Sequence, residues 1–509
     1  MLISDLSLVG EGSLRCGRRD RLGVGPGEGR RAVELAAGRL ARLPAFENRL
    51  YNRGSLSHRG AGHWRVRSRR KDGAKMIRSV EVGGYRLLDG FKADFGPMTV
   101  VIGANATGKS TLLDFLQLVA QSVEFPLADV FSWHGGLLSI CNAASDSGRL
   151  SWGIRFRKPP YNPFWGQVTA LADREFVFEV AIERDAYWQP AAIHEVLRNV
   201  TPDAGHGQPL KYLESHPNRS LIFDRSKRRL VPFDEVVKQS KTDAEPAEAA
   251  PIAAPKAAQW TAPAMPATTL RLAQMRFVNE YPVPSWIRFL LAGIRTYPGF
   301  NVGRLAPVRT QPADIKPETL LLQSGENLGN VLHEILTRHD YRESAEQLRE
   351  FLRAAYPSFD EINAETAYGA TGKVLVRLRE KGMNRPMELW DLSDGVLRFL
   401  CLAASLLNPW PPPVIVIDEP EVGLHPRLLP IVADMLKTAS ERAQVLVTTH
   451  SPDLLNCFGL DQIAVIAREG ARAEWRRPGT RQSLRQMLEN VIGETLGDLH
   501  RSGELEALE

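Results

Sequence analysis

The sequence predicts an α/β chain, a mixed but mostly parallel sheet flanked by helices, and three observations predict it. An apolar strand, Met98–Ile102, runs into a glycine-bearing loop and then a helical stretch from Thr111 to Ala120. A second apolar run, Val414-Ile-Val-Ile417, ends on two carboxylates, Asp418 and Glu419. The closing third then alternates strand and helix through Val414–Ile417, Leu428–Leu436, Val445–Thr449, Ile463–Ile466 and Leu484–Ile492. Crossover helices cover both faces of a parallel sheet, so its strands read as continuous apolar runs between helical patterns.

The elements follow in order. Residues 1–75 hold 17 Lys and Arg against 7 Asp and Glu, whereas 76–509 hold 47 against 52, so the overall charge of +5 belongs to the first 75 residues. That Arg- and Gly-rich leader has little apolar periodicity. It reads as a disordered basic arm, or as residues upstream of a start at Met76, where the first clean strand pattern begins. The charge of 76–509 gives no reason to expect nucleic-acid binding by that body.

Val80–Val82 and Phe91–Phe95 read as strands before the loop, and Leu150–Phe156 and Glu175–Ile182 as strands after its helix. With the loop they form an N-terminal lobe, residues 76–156. Residues 157–317 read as an inserted α/β region. It opens with a Pro/Trp/Tyr-rich loop (157–168), holds a hairpin from Leu210 to Pro232, and carries a flexible Ala/Pro-rich segment at 242–268. Helical periodicity covers Val283–Ile294, Leu328–Thr337 and Glu343–Ala355, the last stopped by Pro357. Ala364–Tyr368 and Lys373–Arg379 read as strands of a C-terminal lobe, 318–509. No stretch of about 18 apolar residues occurs, which predicts no transmembrane helix. Cys16, Cys141, Cys401 and Cys457 are far apart and form no C-x-x-C pair, which fits a reducing cytoplasm.

The loop Gly103-Ala-Asn-Ala-Thr-Gly-Lys-Ser-Thr111 fits G-x-x-x-x-G-K-[ST]. Between a strand and a helix N-terminus, its backbone N–H groups and the helix dipole point at one spot, where a phosphate is stabilised. Gly103, Asn105, Ala106, Thr107, Gly108 and Thr111 form the cradle. Lys109 is placed to reach the β- and γ-phosphates and Ser110 to ligate Mg²⁺.

A parallel strand should open on the ligand crevice at its C-terminal end. Asp418 there would hold Mg²⁺, and Glu419 would polarise the water that attacks the γ-phosphate. Val445-Leu-Val-Thr-Thr-His450 is another strand, stopping on a histidine that faces the same phosphate or serves the packing. Leu392-Ser-Asp-Gly395 precedes an apolar helix from Val396 to Leu407. Ser393 explains itself as an N-cap, and its helix N-terminus also suits a second phosphate.

Taken together, Gly103–Thr111, Leu392–Gly395, Asp418-Glu-Pro-Glu-Val-Gly-Leu-His-Pro426 and Thr449-His-Ser-Pro452 resemble the ABC-type P-loop ATPase head. The resemblance is narrower to the SMC-like and OLD-like branch and to stand-alone bacterial ATPases of the AAA/ABC-like class, over residues 76–120 and 318–505. It implies ATP and Mg²⁺ as cofactors and an ATP-dependent homodimer sandwiching two nucleotides. Lys109, Ser110, Asp418, Glu419 and His450 would act in cis, and Ser393 and Gly395 in trans. Arg86, in Tyr85-Arg-Leu-Leu, matches a phosphate-touching basic residue of related heads or is a solvated surface arginine.

Two features depart from the wider family. The signature reads Leu-Ser-Asp-Gly, not the transporter form Leu-Ser-Gly-Gly. The Mg²⁺-sensing glutamine is not located: Gln117 lies early, and Gln121 and Gln167 are candidates.

The leading expectation is a cytoplasmic ATP hydrolase that drives a protein effector or a DNA-related process such as repair or phage defence, without a membrane partner. The alternative is an OLD-like ATP-dependent nuclease or nuclease-associated ATPase. Against it, only 59 residues follow His450, too few for a separate catalytic domain. The signature argues against a transporter subunit, the lack of N-K-x-D against a GTPase, and the lack of a long heptad run against an SMC coiled-coil arm.

Overall fold

The computed structural model describes residues 76–144, 148–157, 175–184, 189–200, 208–217, 219–224, 227–236, 268–275, 281–310, 313–316, 318–366, 372–480 and 495–507. The chain divides after His63, and these residues all lie in the second unit, Trp64–Glu509. The leader, the loop at 158–168, the Ala/Pro-rich 242–267, the expected helix Leu484–Ile492 and Gln167 fall outside the described residues.

The N-terminal strands are β1 (Ile77–Gly83), β2 (Phe91–Asp94) and β3 (Met98–Ile102), followed by helix α1 (Lys109–Ser122). Next come β4 (Leu150–Arg157), β5 (Glu175–Arg184), β6 (Pro190–Asn199), β7 (Lys211–His216), β8 (Arg219–Asp224) and β9 (Arg229–Pro232). Helix α2 (Pro282–Ala292) leads directly into β10 (Ile294–Tyr297). After the short β11 (Ala313–Asp314), helices α3 (Leu328–Thr337) and α4 (Arg342–Ala355) precede β12 (Phe359–Thr366), β13 (Lys373–Glu380) and β14 (Met387–Glu388). The closing elements are α5 (Asp394–Leu406), β15 (Val414–Asp418), α6 (Leu429–Ser440), β16 (Gln444–Thr448), β17 (Ile463–Glu469), β18 (Arg472–Arg476) and α7 (Leu496–Arg501).

The central sheet has the order β10-β15-β16-β3-β17-β18. Its first five strands are parallel and β18 returns antiparallel to β17, so it is mixed and mostly parallel, as expected. All five residues of β3 and of β16 are buried. Because side chains alternate along a strand, Val101, Val416 and Leu446 join the core that holds α1, while Val100, Ile415, Ile417 and Val447 join the core built on α3, α5 and α6.

The second sheet is antiparallel, with order β2-β1-β4-β5-β6-β7-β8-β9. In β4, Leu150, Trp152, Ile154 and Phe156 point into the core while Arg155 and Arg157 face water, the alternation of a sheet with one covered face. Helix α1 is buried nearly all round, through Leu112, Leu113, Phe115, Leu116, Leu118 and Val119. A helix apolar on every side belongs between layers, and α1 shares one core with both sheets. Trp475 of β18 stacks edge-on against Phe91 and Phe95 and donates to Asp94 at 3.1 Å, which joins the two sheets at one edge. A small third sheet, β11-β13-β12 with β14 on β13, leads toward the signature.

Many expected elements stand within a residue or two of their anticipated ends, but the strand read from Ala364 begins at Phe359, the one read from Val80 begins at Ile77, the helix read to Leu436 runs to Ser440 and the strand read to Ile466 runs to Glu469. The helix read as Val283–Ile294 stops at Ala292, and Ile294 instead opens β10, which pairs with the carboxylate strand from Ile294↔Val414 to Tyr297↔Ile417. The single hairpin read over 210–232 is three strands, β7 to β9. Strands β6, β11, β14 and β18 were not anticipated.

Candidate functional site

The phosphate loop takes its shape from glycines where no side chain fits. Gly103 has φ 152°, and a Cβ there would lie 2.2 Å from the Ile466 carbonyl oxygen. Gly108 caps α1 with φ 116°, facing Ala473 at 3.2 Å, and Ala106 between them takes φ 61°. Thr107 ties the loop to itself, donating to the Ala104 carbonyl at 2.9 Å. Lys109 is buried, its Nζ donating to the carbonyls of Gly103 at 2.7 Å and Ala104 at 2.8 Å. Ala104, Asn105, Ala106 and Ser110 are exposed on the open side of this loop. The ammonium is thus held under a bare backbone rim, as a phosphate cradle requires.

The sheet sets the other groups beside the loop. Asp418 is in register with Thr448, and Thr448 with Val101 of the strand that feeds the loop. Three parallel strands therefore end together, with Glu419, His450 and Gly103 each a residue or two past its strand. Thr448, fully buried, donates from its hydroxyl to Asp418 Oδ1 and accepts from the Glu419 N–H at 3.2 Å. Glu419 adopts φ 45°, outside the usual range for a residue with a side chain. Such a conformation costs about 1–3 kcal/mol and persists where the surroundings enforce it. Here the Glu419 N–H is also held by the Thr448 carbonyl at 3.1 Å.

His450 Nε2 lies 3.7 Å from Glu419 Oε1. Burial pushes its pKa down, and the Lys109 ammonium pushes the same way, against opposing pulls from Glu419 and Glu421. The imidazole is therefore neutral at pH 7 and carries one N–H to offer. Glu421 fastens this corner: its Oε1 accepts from the Thr449 hydroxyl at 2.7 Å and from the His450 N–H at 2.9 Å. Its Oε2 is buried without a hydrogen-bond partner among the described residues.

The signature turn lies at the N-terminus of α5. Ser393 is its N-cap, exposed, and accepts from the Val396 N–H at a long 3.4 Å. Gly395 packs against the loop after Glu419: a Cβ there would stand 3.5 Å from the Gly423 carbonyl. Buried Arg309 holds the turn from below, donating to the carbonyls of Leu392 at 2.7 Å and Trp390 at 3.2 Å and to Asp394 Oδ1 at 2.5 Å. Trp390, just before the turn, and Val422, next to Gly423, are exposed apolar side chains.

Arg86 has φ 43° and pairs with Asp114 of α1 at 2.6 Å, while Leu87 beside it lies 3.9 Å from the Cβ position of Gly108. It stands next to the loop with its guanidinium engaged by a carboxylate. Of the glutamine candidates, Gln121 is bonded to His134 at 2.9 Å and Gln117 to Gln323 at 3.4 Å.

The sequence-read residues thus fall into two groups. Gly103 to Thr111, Asp418, Glu419 and His450 meet at adjoining strand ends. Gly395, at the turn that Ser393 caps, meets the loop that follows Glu419. Thr448, Glu421 and Arg309 escaped the sequence reading. Glu421 stands inside the motif Asp418–Pro426 and Thr448 beside His450, so both had a positional signal, whereas Arg309 had none.

The donors suit a nucleotide and its metal. A cradle that a Cβ would fill, an exposed Ser110 hydroxyl and an Asp418 carboxylate oriented by Thr448 match the hard oxygen ligands Mg²⁺ takes beside a triphosphate. Among the described residues, no group of three or more His, Cys, Asp or Glu could hold a metal by themselves. No helix among them is long and apolar enough to cross a membrane.

Residues 76–193 match the family model described as AAA ATPase domain. Residues 286–456 match the model described as AAA domain, putative AbiEii toxin, Type IV TA system. The two matches contain the loop and the Asp418, Glu419 and His450 strands respectively, in keeping with the resemblance read from the motifs. No curated protein matches the chain. Among solved structures, the chain is similar to an Smc head domain with an extended coiled coil from Pyrococcus furiosus, bound to the C-terminal domain of ScpA: 13% identity, 81% of this chain and 99% of that one covered, TM-score 0.42. It is also similar to the SMC head domain from Thermotoga maritima, at 13% identity over 79% of this chain and 98% of that one, TM-score 0.36. Both superpositions are loose.

Proposed function

We propose that this chain, which AAA ATPase and AAA domain family models match over residues 76–193 and 286–456, hydrolyses ATP with Mg²⁺, closing head-to-head on a second copy around the nucleotide. The observation that carries this reading is the common ending of three parallel strands, which brings a buried lysine, two carboxylates and a histidine to one edge.

Each residue then has a defined task. The rim from Gly103 to Thr111 binds the triphosphate through its N–H groups, and Lys109 exchanges its carbonyl partners for phosphate oxygens. Ser110 and Asp418 would hold Mg²⁺, which supplies charge neutralisation on the phosphates. Glu419 accepts the proton of the attacking water at a carboxylate oxygen, and its backbone, fixed by Thr448, aims that oxygen. Neutral His450 donates one hydrogen bond toward the γ-phosphate, and Glu421 fixes where it stands.

Ser393 and Gly395 serve the nucleotide of the second copy. The exposed Trp390 and Val422 beside them favour a covered rather than a wetted face. The load that closure drives is a protein effector or a DNA-related process. A match whose description names a putative toxin of a toxin–antitoxin system favours the effector in a defence setting over DNA repair. Phosphate release from ATP tests the reading: the chain turns over, and Glu419→Gln binds ATP without turnover. Equal turnover by the two would overturn it.

A further inference from the structure

Asp394 poses an electrostatic problem that the structure resolves in an unexpected place. It is the first residue of α5, directly after Ser393, with 63% of its side chain exposed. A carboxylate at a helix N-terminus suits the helix itself. It opposes any phosphate that approaches the same N–H groups, and the transporter form of this motif has glycine at that position.

Arg309 answers the charge. The side chain is buried, 9% exposed, and every nitrogen of its guanidinium is engaged. Nε donates to the Val302 carbonyl at 2.9 Å and to that of Gly303 at 3.2 Å. Nη1 donates to the carbonyls of Leu392, Trp390 and Leu389 at 2.7, 3.2 and 3.5 Å. Nη2 reaches Asp394 Oδ1 at 2.5 Å. One planar fork thus fixes the carbonyls of the turn before Ser393 and pairs the carboxylate after it. Lysine, a compact ammonium, lacks the rigid spaced fork that holds these partners in fixed geometry.

We propose that Arg309 is the positioning residue of the signature turn: it cancels the charge of Asp394 and shapes Leu389–Leu392, so that Ser393 and the N-terminus of α5 can accept a γ-phosphate held by a second copy. The inference rests on the head-to-head reading above. The arginine touches no nucleotide and acts through the turn.

The test uses the full chain carrying Glu419→Gln, so that ATP is bound and not consumed. Dimerisation is followed by sedimentation across protein concentration, and ATP affinity by a fluorescent ATP analogue at concentrations where the chain is monomeric. Adding Arg309→Gln is expected to weaken the ATP-dependent dimer about tenfold or more, the scale of removing one partner from a hydrogen-bonded charge pair. ATP affinity of the monomer stays unchanged. Adding Asp394→Asn to that variant recovers most of the loss, because the uncancelled carboxylate is gone.

Asp394→Asn alone, at an exposed side chain, is expected to dimerise as tightly as the parent or more tightly, and this arm stands even if Arg309→Gln fails to fold. An unweakened dimer in folded Arg309→Gln, an absent rescue, or a weaker dimer in Asp394→Asn alone would each reduce Arg309 to a structural clasp and overturn the proposal. A parent that binds ATP without dimerising is a different outcome: it removes the head-to-head reading itself.

Discussion

Replacing Thr448 by valine removes one hydroxyl and nearly preserves shape in a fully buried position. That hydroxyl donates to Asp418 Oδ1 and accepts from the Glu419 N–H at 3.2 Å, while the Thr448 carbonyl still holds that N–H at 3.1 Å. The lost interaction is therefore chiefly the bond to the carboxylate. Hydrogen bonds to charged groups contribute about 1.5–3 kcal/mol. If that energy orients Asp418 for the metal, turnover falls roughly ten- to 150-fold, at 1.36 kcal/mol per factor of ten. The Mg²⁺ concentration for half-maximal rate rises with it. The assay is ATP turnover against Mg²⁺ concentration, with thermal unfolding measured on the same sample. A lowered melting temperature with unchanged turnover and Mg²⁺ dependence would show that Thr448 only packs, and would refute its role in aiming the site.

Three further outcomes follow from the geometry. Lys109→Ala leaves the Gly103 and Ala104 carbonyls without their donor and the rim without its charge, so affinity for a fluorescent ATP analogue falls at least about a hundredfold, two charge-assisted hydrogen bonds' worth. Because burial and Lys109 hold the His450 pKa below its ordinary 6.5, the imidazole is neutral at and above that pH. The native state it favours loses stability only as pH falls below 6.5, and the acid limb of turnover attributable to His450 lies below 6.5 and vanishes from the profile of His450→Gln. Glu195 of β6 is fully buried, accepting from the Arg271 and Leu272 N–H groups at 2.7 Å each, and burial pushes its pKa up to about 7. Its stabilising contribution is complete below pH 4.5 and is lost as pH rises through 7, a change of roughly 3 kcal/mol. Melting temperatures of Glu195→Gln taken from pH 4.5 to 8 are expected to show a flatter decline than those of the parent chain.

Legibility of the fold followed the strength of local patterning. The strands β3, β15 and β16 are short, mostly apolar and run into a glycine, a carboxylate pair and a histidine, so their place in a parallel sheet could be read directly. The four residues of β10 could not: Ile-Arg-Thr-Tyr follows a helix after one glycine, and only pairing with β15 makes it a strand. β6 escaped because Glu195 and Asn199 occupy buried positions, which breaks the apolar alternation a one-sided sheet should show. At the site, residues within a motif were legible even without an assigned task, as Glu421 shows. Arg309 lies 84 residues before Ser393 and acts through main-chain carbonyls, which leave no trace in sequence. What the ATPase drives was equally unwritten, because a load is chosen by surfaces and partners rather than by phosphate chemistry.

In the head-to-head dimer, the strand-end cluster of one chain is completed by the signature turn of another. Sedimentation of Glu419→Gln with ATP and Mg²⁺, beside the same protein without nucleotide, tests this directly. The expected result is a dimer with ATP and a monomer without it. A protein that binds ATP stoichiometrically and stays monomeric at every concentration would contradict the account.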